Sequence, residues 1–289
     1  MDKSQQDREL GQFIPLAYHF NMLNDEARMI AFHDAIARVV TPGCRVLELG
    51  GGTGVLSFLA ASRGASVCCV ELNPELVREA RRILALNPAA ARVSVLEADA
   101  FDYLPSEPVD VVICEMLHVG MLREKQIQVI DSFKRRYRTK FGNTLPHFIP
   151  EAFFHAVQPV QQSFDFHGYY APITCFQDPV VAQRRTVELG RPVVYQSGAY
   201  GGALSLDCSW QGELAIDQPG QLNAVRFITK NVLTVIEAEQ RTVDWFNQYL
   251  IVPIMPPLPV ESGSRAVISF SYQTGDPIAV LKPEVRLRQ

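Results

Sequence analysis

Hydrophobic positions in the first half of the chain change their period repeatedly, and each change predicts a new element. Apolar residues recur at helical spacing between Asn24 and Val40, and Pro42-Gly43 then ends that helix. Short apolar runs predict strands over 45–49, 66–71, 93–97 and 109–115, and helical segments are predicted over 55–63 and 74–86. Such an alternation predicts a parallel sheet covered by helices on both faces.

The second half of the chain has a different pattern, which begins near Pro146 and Pro150. Short β-branched or aromatic runs are separated by Pro, Gly, Asn and Asp, at 153–160, 193–195, 203–208, 224–228, 233–236, 249–254 and 266–272. These runs predict a mainly antiparallel β domain, a barrel or a sandwich. The predicted organisation is a helical segment over 1–40, an α/β Rossmann-like domain over 41–148 and the β domain over 149–289.

Composition excludes several classes of function. The 289 residues are 47% hydrophobic and 20% charged, and the formal net charge of −4 leaves no electrostatic footprint for nucleic acid or an anionic membrane. The six cysteines form no CxxC pair and the histidines have no ligand spacing, so reduced thiols and no metal are expected. Residues 1–10 are polar and no apolar run approaches about 20 residues, which predicts a cytoplasmic protein.

A glycine-rich turn follows the first predicted strand. Gly50, Gly52 and Gly54 occupy alternate positions, and glycine lets a backbone approach a ligand that a β-carbon would block. Glu71 ends the next strand about 20 residues on, where a carboxylate can accept both ribose hydroxyls of a nucleoside. A turn without a ligand is the alternative interpretation.

Glu48, at the end of the first strand, discriminates between nucleoside cofactors. A carboxylate there would repel the pyrophosphate of a dinucleotide, whereas S-adenosylmethionine carries an ammonium and a sulfonium that Glu48 attracts. Asp99, followed by Ala100, ends the third strand and could accept from an adenine amino group. S-adenosylmethionine is therefore the expected cofactor, and a nicotinamide cofactor is the alternative if Glu48 points away from the ligand.

The segment HFNMLNDEAR, at residues 19–28, precedes the glycine turn. Together with that turn it resembles the protein arginine methyltransferases and their bacterial relatives, over roughly residues 18–275. The resemblance implies that residues 1–40 close over the cofactor, with Met22 beside the sulfonium and Arg28 paired with the methionine carboxylate. A guanidinium suits a carboxylate because it can bind both oxygens. A surface arginine on an amphipathic helix is the alternative.

Two glutamates, Glu115 and Glu124, stand nine residues apart after the fourth strand. This spacing resembles the family's paired-glutamate loop, which implies that both bind the substrate guanidinium, a planar cation that needs acceptors on two sides. Glu124 could instead be the solvated start of a helix. His118, between them, stands where the family usually has glycine and is a further candidate for substrate contact.

Residues 241–248, RTVDWFNQ, resemble the family's threonine-histidine-tryptophan loop. Asp244 occupies the place of the histidine, and the resemblance implies that Asp244 and Trp245 contact the substrate, with Asp244 as a third acceptor or a proton acceptor. A homodimer is also implied, although the segment for the dimerisation arm, around 170–187, is short.

The predicted function is in-line transfer of the sulfonium methyl to a guanidino nitrogen, with Glu115 and Glu124 orienting the acceptor. Free arginine or a small guanidino metabolite is favoured over protein arginine, because the arm is short and the substrate loop is altered. Methylation of a different small-molecule nitrogen or oxygen is one alternative. A catalytically silent cofactor-binding protein that acts by interaction is another.

Overall fold

The computed structural model of the chain describes residues 14–288. The helical segment predicted over 1–40 therefore begins outside the described residues, and the polar stretch at 1–10 lies wholly outside them. Within residues 14–288, no helix combines the length and the apolar character that crossing a bilayer requires.

Five α-helices are described, all ahead of the β domain. They are α1 (Leu16–Leu23), α2 (Glu26–Val39), α3 (Val55–Ser62), α4 (Pro74–Leu84) and α5 (Gln126–Phe141). Side-chain caps explain two of the starts, because Asp25 accepts from the N–H of Arg28 and Asn73 accepts from the N–H of Glu75. Helix α2 is the one that the apolar spacing between 24 and 40 predicts.

The first sheet has five parallel strands in the order β3-β2-β1-β4-β5. Their bounds are β1 (Arg45–Leu49), β2 (Ser66–Glu71), β3 (Val93–Glu97), β4 (Val111–Cys114) and β5 (His147–Ile149). The strand order reverses between β1 and β4, and ligands bind outside the carboxyl ends of the strands at such a point. The predicted Rossmann-like architecture is confirmed.

The second half of the chain contains the antiparallel strands. They are β6 (Ala152–Gln162), β7 (Asp165–Phe166), β8 (Tyr169–Tyr170), β9 (Cys175–Gln177), β10 (Thr186–Glu188), β11 (Val193–Ala199), β12 (Asp207–Ala215), β13 (Gly220–Ile236), β14 (Arg241–Phe246), β15 (Tyr249–Val260), β16 (Arg265–Gln273) and β17 (Glu284–Leu287). Seven of them form one sheet around β13, and β12, β16 and β17 form another. Both sheets supply buried side chains to one cluster, including Phe227 and Phe270. The predicted antiparallel β domain is confirmed, as a sandwich and, within residues 14–288, without a closed barrel.

Two strand predictions differ from the structure. The runs at 224–228 and 233–236 belong to one strand, β13, which continues through Thr229, Lys230 and Asn231. Polar residues in its middle interrupt the apolar pattern, but Thr229 and Asn231 are buried and hydrogen-bonded. The strand predicted over 203–208 instead begins at Asp207.

One hydrophobic core contains buried side chains from both the Rossmann-like domain and the β domain. Phe32 of α2 packs against Trp245 of β14, with ring centroids 6.4 Å apart. Leu47 of β1 and Leu233 of β13 belong to the same buried cluster. This packing holds β14 beside the carboxyl ends of the parallel strands.

Candidate active site

One cavity at the carboxyl ends of the parallel strands contains most of the predicted site residues. The predicted residues in its lining are Met22, Arg28, Glu48, Gly50, Gly52, Glu71, Asp99, Ala100, Glu115 and Glu124. Four predicted residues, Gly54, His118, Asp244 and Trp245, lie outside that lining. The topology therefore gathers side chains from six separate segments at the point where the strand order reverses.

The glycine turn between β1 and α3 has left-handed backbone geometry. The φ angles of Gly50, Gly52 and Gly54 are 73°, 54° and 81°. A β-carbon on Gly52 would also lie 2.7 Å from Cε1 of His19, too close for any real contact. Only glycine therefore combines this backbone conformation with the close approach of α1.

Glu48 is buried at the end of β1, with 3% of its surface exposed. Its Oε2 accepts hydrogen bonds from both the N–H, at 2.9 Å, and the hydroxyl of Ser57 in the first turn of α3. Burial raises the pKa of the Glu48 carboxyl to about 7, although the bonds from Ser57 oppose that rise. Glu48 thus anchors the helix that follows the turn and still lines the cavity.

Glu71, the last residue of β2, and Asp99, two residues after β3, hold the surrounding backbone. Oε2 of Glu71 accepts from the N–H of Gly52 at 2.9 Å, and Oε1 accepts from the N–H of Asn73 at 2.8 Å. Oδ1 of Asp99 accepts from the N–H of Phe101 at 2.9 Å. Each carboxylate oxygen has further acceptor capacity, which leaves lone pairs for a ligand.

His19 also lines the cavity, although no pattern in the sequence indicates it. It is the buried residue of α1, and its ring lies against Gly52. Its Nε2 is buried with no hydrogen-bond partner among residues 14–288, and such atoms are rare unless a ligand or water satisfies them. Burial, helped by the charge of Arg28, lowers the pKa of the imidazole. The available signal was a lone imidazole in a short apolar helix just before the glycine turn.

Arg28, in the first turn of α2, extends its guanidinium into the cavity. The guanidinium contacts the carboxylate of Glu115 and lies 5.3 Å from the ring centroid of Trp245. Burial lowers the pKa of Arg28 to about 10, against the opposing charges of Glu124 and Asp25. Arg28 is therefore a cavity residue rather than a surface arginine.

Glu115 and Glu124 face the cavity from the two ends of the segment between β4 and α5. Glu115 has 10% of its side chain exposed, and Glu124 is partly buried. Burial raises the pKa of Glu124 to about 7, although Arg28 and Arg123 lower it. Two carboxylates at one wall can accept from the separate N–H groups of a planar cation.

Asp244, which the resemblance assigns to the substrate, lies outside the cavity lining. Its Oδ2 is 2.7 Å from Nζ of Lys230 and accepts from the hydroxyl of Thr242 at 2.9 Å. Trp245 contacts Arg28, and adjacent side chains of a strand point to opposite faces. The carboxylate of Asp244 is thus directed away from the face of β14 that meets Arg28.

His118 also lies outside the cavity lining. Its ring contacts Phe176 edge to face, with ring centroids 5.7 Å apart. Burial lowers the pKa of the imidazole to about 4, so His118 is neutral near pH 7.

Comparisons with known proteins indicate a methyltransferase. Residues 46–140 match a family model described as a methyltransferase domain. An uncharacterized protein of Methanothermobacter thermautotrophicus is 30% identical over 263 residues, covering 89% of this chain and 93% of its own. The arginine N(omega)-methyltransferase of Streptomyces achromogenes is 33% identical over 134 residues, covering 45% of this chain and 37% of its own.

A solved structure shares the fold over almost the whole chain. Arabidopsis thaliana protein arginine methyltransferase 10 superposes with a TM-score of 0.74 at 16% identity, covering 96% of this chain and 98% of its own. The parallel sheet and the antiparallel sandwich therefore recur together in that fold. The chain belongs to the protein arginine methyltransferase-like family of class I S-adenosylmethionine-dependent methyltransferases.

Proposed function

We propose that this enzyme methylates a guanidino nitrogen, with free arginine or a small guanidino metabolite as its acceptor. The observation that carries the proposal is the pair Glu115 and Glu124 on the wall of the cavity that contains the glycine turn. The contact between Glu115 and Arg28 supports it further, because a guanidinium already fits against this carboxylate.

The cofactor would lie against the glycine turn. Its ribose would face Glu71, and its adenine would face Asp99 and Ala100. Its methionine part would lie by Met22, Arg28 and Glu48. The unpartnered Nε2 of His19 supports a polar ligand in this place, and we add His19 to the proposed cofactor residues. When bound, S-adenosylmethionine supplies a methyl group on a sulfonium, which departs as a neutral thioether.

The two glutamates would position the acceptor and receive its proton. A guanidinium has a pKa above about 12, so it stays protonated and its nitrogen lone pairs are delocalised. A lone pair becomes available for transfer only as the group is held in place and turned toward the methyl. As the nitrogen–carbon bond forms, the nitrogen loses one proton. Glu124, whose pKa of about 7 suits a proton acceptor near neutral pH, would take that proton.

Within this proposal the division of the chain follows the sequence prediction. Residues 1–40 would close over the cofactor, 41–148 would bind it, and 149–289 would shape the acceptor side. The small acceptor is supported by the relative named arginine N(omega)-methyltransferase.

Mass spectrometry of acceptors tests the proposal. Arginine, arginine-containing peptides, lysine and simple amines would be incubated separately with the enzyme and S-adenosylmethionine, beside Glu115→Gln and Glu124→Gln variants. We expect methylated arginine from the wild type only. Methylation confined to peptides would replace the small acceptor with protein arginine, and methylation of amines alone would point to a non-guanidino acceptor. No product from any acceptor, despite cofactor binding, would indicate the silent binding protein.

The assembly belongs to the same proposal. A homodimer is predicted, and several apolar side chains of the short arm are exposed, among them Tyr169, Tyr170, Ile173 and Val180. Light scattering after size-exclusion chromatography separates a dimer from a monomer.

A further inference from the structure

The segment 115–124, here called the glutamate loop, has a backbone shape that its own sequence does not favour. Gly120, Met121 and Arg123 have φ angles of 66°, 53° and 64°. Two of these residues carry a β-carbon, and such residues are disfavoured in the left-handed region. The separation of the glutamates at its two ends therefore depends on contacts from outside the loop.

Side chains of the β domain supply two such contacts. The hydroxyl of Thr229, on β13, accepts a hydrogen bond from the N–H of Gly120 at 2.8 Å. Nδ2 of Asn247, just after β14, donates to the carbonyl of Leu117 at 3.0 Å. Both bonds reach the loop across more than a hundred residues of sequence.

Further buried groups orient these two side chains. Nδ2 of Asn231 donates to Oδ1 of Asn247 at 2.9 Å, and Nδ1 of His155 lies 2.9 Å from the hydroxyl of Thr229. Thr229, Asn231 and His155 are fully buried. Burial lowers the pKa of His155 to about 3, so its ring is neutral and cannot place a charge beside the loop.

We propose that Thr229 and Asn247, with Asn231 behind them, are positioning residues for the paired glutamates. This inference rests on the proposed function, because it assigns to the β domain the task of setting the distance between Glu115 and Glu124. The side chains act through the loop backbone at Leu117 and Gly120. The N–H of Gly275 donates to the carbonyl of Met121, and the N–H of Arg123 donates to the carbonyl of Asp276. These backbone bonds keep the loop docked if either side-chain bond is lost.

Matched substitutions on one strand test this inference. Thr229→Val keeps the shape of the side chain and removes the hydroxyl, and Thr229→Ser keeps the hydroxyl. Thr234→Val is the control, because Thr234 is also a buried residue of β13 whose hydroxyl donates a hydrogen bond, to Glu151 and away from the loop. We expect kcat to fall at least tenfold in Thr229→Val, with S-adenosylhomocysteine Kd within twofold of the wild type. Thr229→Ser and Thr234→Val should keep kcat within threefold.

Hydrogen exchange gives a readout that does not need a known acceptor. Peptides covering 115–124 should exchange faster in Thr229→Val and in Asn247→Leu, and peptides covering the parallel strands should not change. If no guanidino acceptor is methylated by the wild type, the proposed function fails, and the exchange result alone decides the positioning role. Unchanged exchange in the loop, or an unchanged kcat in Thr229→Val of an active enzyme, would overturn the inference.

Discussion

The Arg28 guanidinium contacts the Glu115 carboxylate in the cavity wall, which joins the first turn of α2 to the end of β4. The two side chains are only 13% and 10% exposed. In the proposed function each has a different ligand, a cofactor carboxylate for Arg28 and an acceptor guanidinium for Glu115. While Arg28 and Glu115 are paired, neither can bind its own ligand fully. Cofactor binding to Arg28 should therefore release Glu115, and we expect the cofactor to bind before the acceptor.

Removing Arg28 should weaken cofactor binding. A charged hydrogen bond contributes about 1.5–3 kcal/mol, so Arg28→Ala should raise the Kd for S-adenosylhomocysteine by about 10- to 100-fold. Isothermal titration calorimetry measures this. Arg38→Ala is the control, because Arg38 lies on the same helix in exposed ion pairs that contribute little. Equal Kd values for the wild type and Arg28→Ala would refute the assignment.

Neutralising either glutamate should reduce turnover. Glu115→Gln and Glu124→Gln keep the shape of the side chain and remove the charge that would hold the acceptor cation, so kcat should fall by about 10²- to 10³-fold. The cofactor Kd should stay within threefold in Glu124→Gln and should not rise in Glu115→Gln, because that variant loses the charge that competes for Arg28. Glu213→Gln, in a surface ion pair with Arg288, should leave kcat unchanged. Full turnover in both cavity variants would remove the glutamates from the mechanism.

The pH dependence of cofactor binding should report on Glu48. Its pKa of about 7 in the folded protein lies above its ordinary value of 4.5, so its ionised form is the less favourable one in the fold. The cationic cofactor favours the ionised form of Glu48, so affinity for S-adenosylmethionine should rise between pH 6 and 8. Each unit by which binding lowers the pKa of Glu48 would raise the affinity by up to about tenfold over this range. Calorimetry at several pH values should show a flatter profile for Glu48→Gln. Identical profiles would contradict this role.

Glu48 should affect the stability of the ligand-free protein in the opposite direction, since stability should fall as the pH rises. Because the folded-state pKa is raised, the contribution of Glu48 to stability is fully present below about pH 4.5 and is lost as the pH rises through about 7. Thermal unfolding of the ligand-free protein should show a smaller loss over this window in Glu48→Gln than in the wild type.

A β-carbon at Gly52 should remove cofactor binding. It should also destabilise the fold by more than the positive φ of Gly52 alone accounts for. Gly52→Ala would meet both the positive φ and the ring of His19. Gly263→Ala is the matched control, since Gly263 has a φ of 87° and open space where the β-carbon would lie. The control should lose about 1–2 kcal/mol of stability, and Gly52→Ala should lose more. Thermal unfolding and calorimetry with S-adenosylhomocysteine measure both effects, and equal losses would argue against the contact with His19.

The sequence predicts an element well where the spacing of hydrophobic residues stays the same from its start to its end. The apolar runs of β1, β2 and β4 are visible in the sequence because these strands are buried along most of their length. The helical spacing of α2 is visible because its buried residues recur on one face. The middle of β13 was not predicted, because Thr229 and Asn231 look like loop residues until the partners that satisfy them are known.

The candidate site divides in the same way. Glycines and carboxylates at strand ends could be predicted from strand–turn–helix geometry, which is local. His19 could not, because its significance comes from lying against Gly52, which follows in the chain only after another helix and a strand. The pairing of Asp244 with Lys230 could not be predicted either, because the residues that meet across two strands depend on the register of β14 with β13.

The amino-acid sequence by itself determined the parallel sheet, the change to antiparallel strands, the glycine turn and the acidic side chains that follow it. These depend on hydrophobic period and on backbone preferences that act over a few residues. Only the tertiary structure decided that Arg28 meets Glu115, that His19 packs against Gly52, and that Thr229 and Asn247 reach the glutamate loop. Those contacts join distant segments, and their geometry follows from how helices and sheets pack around a common core.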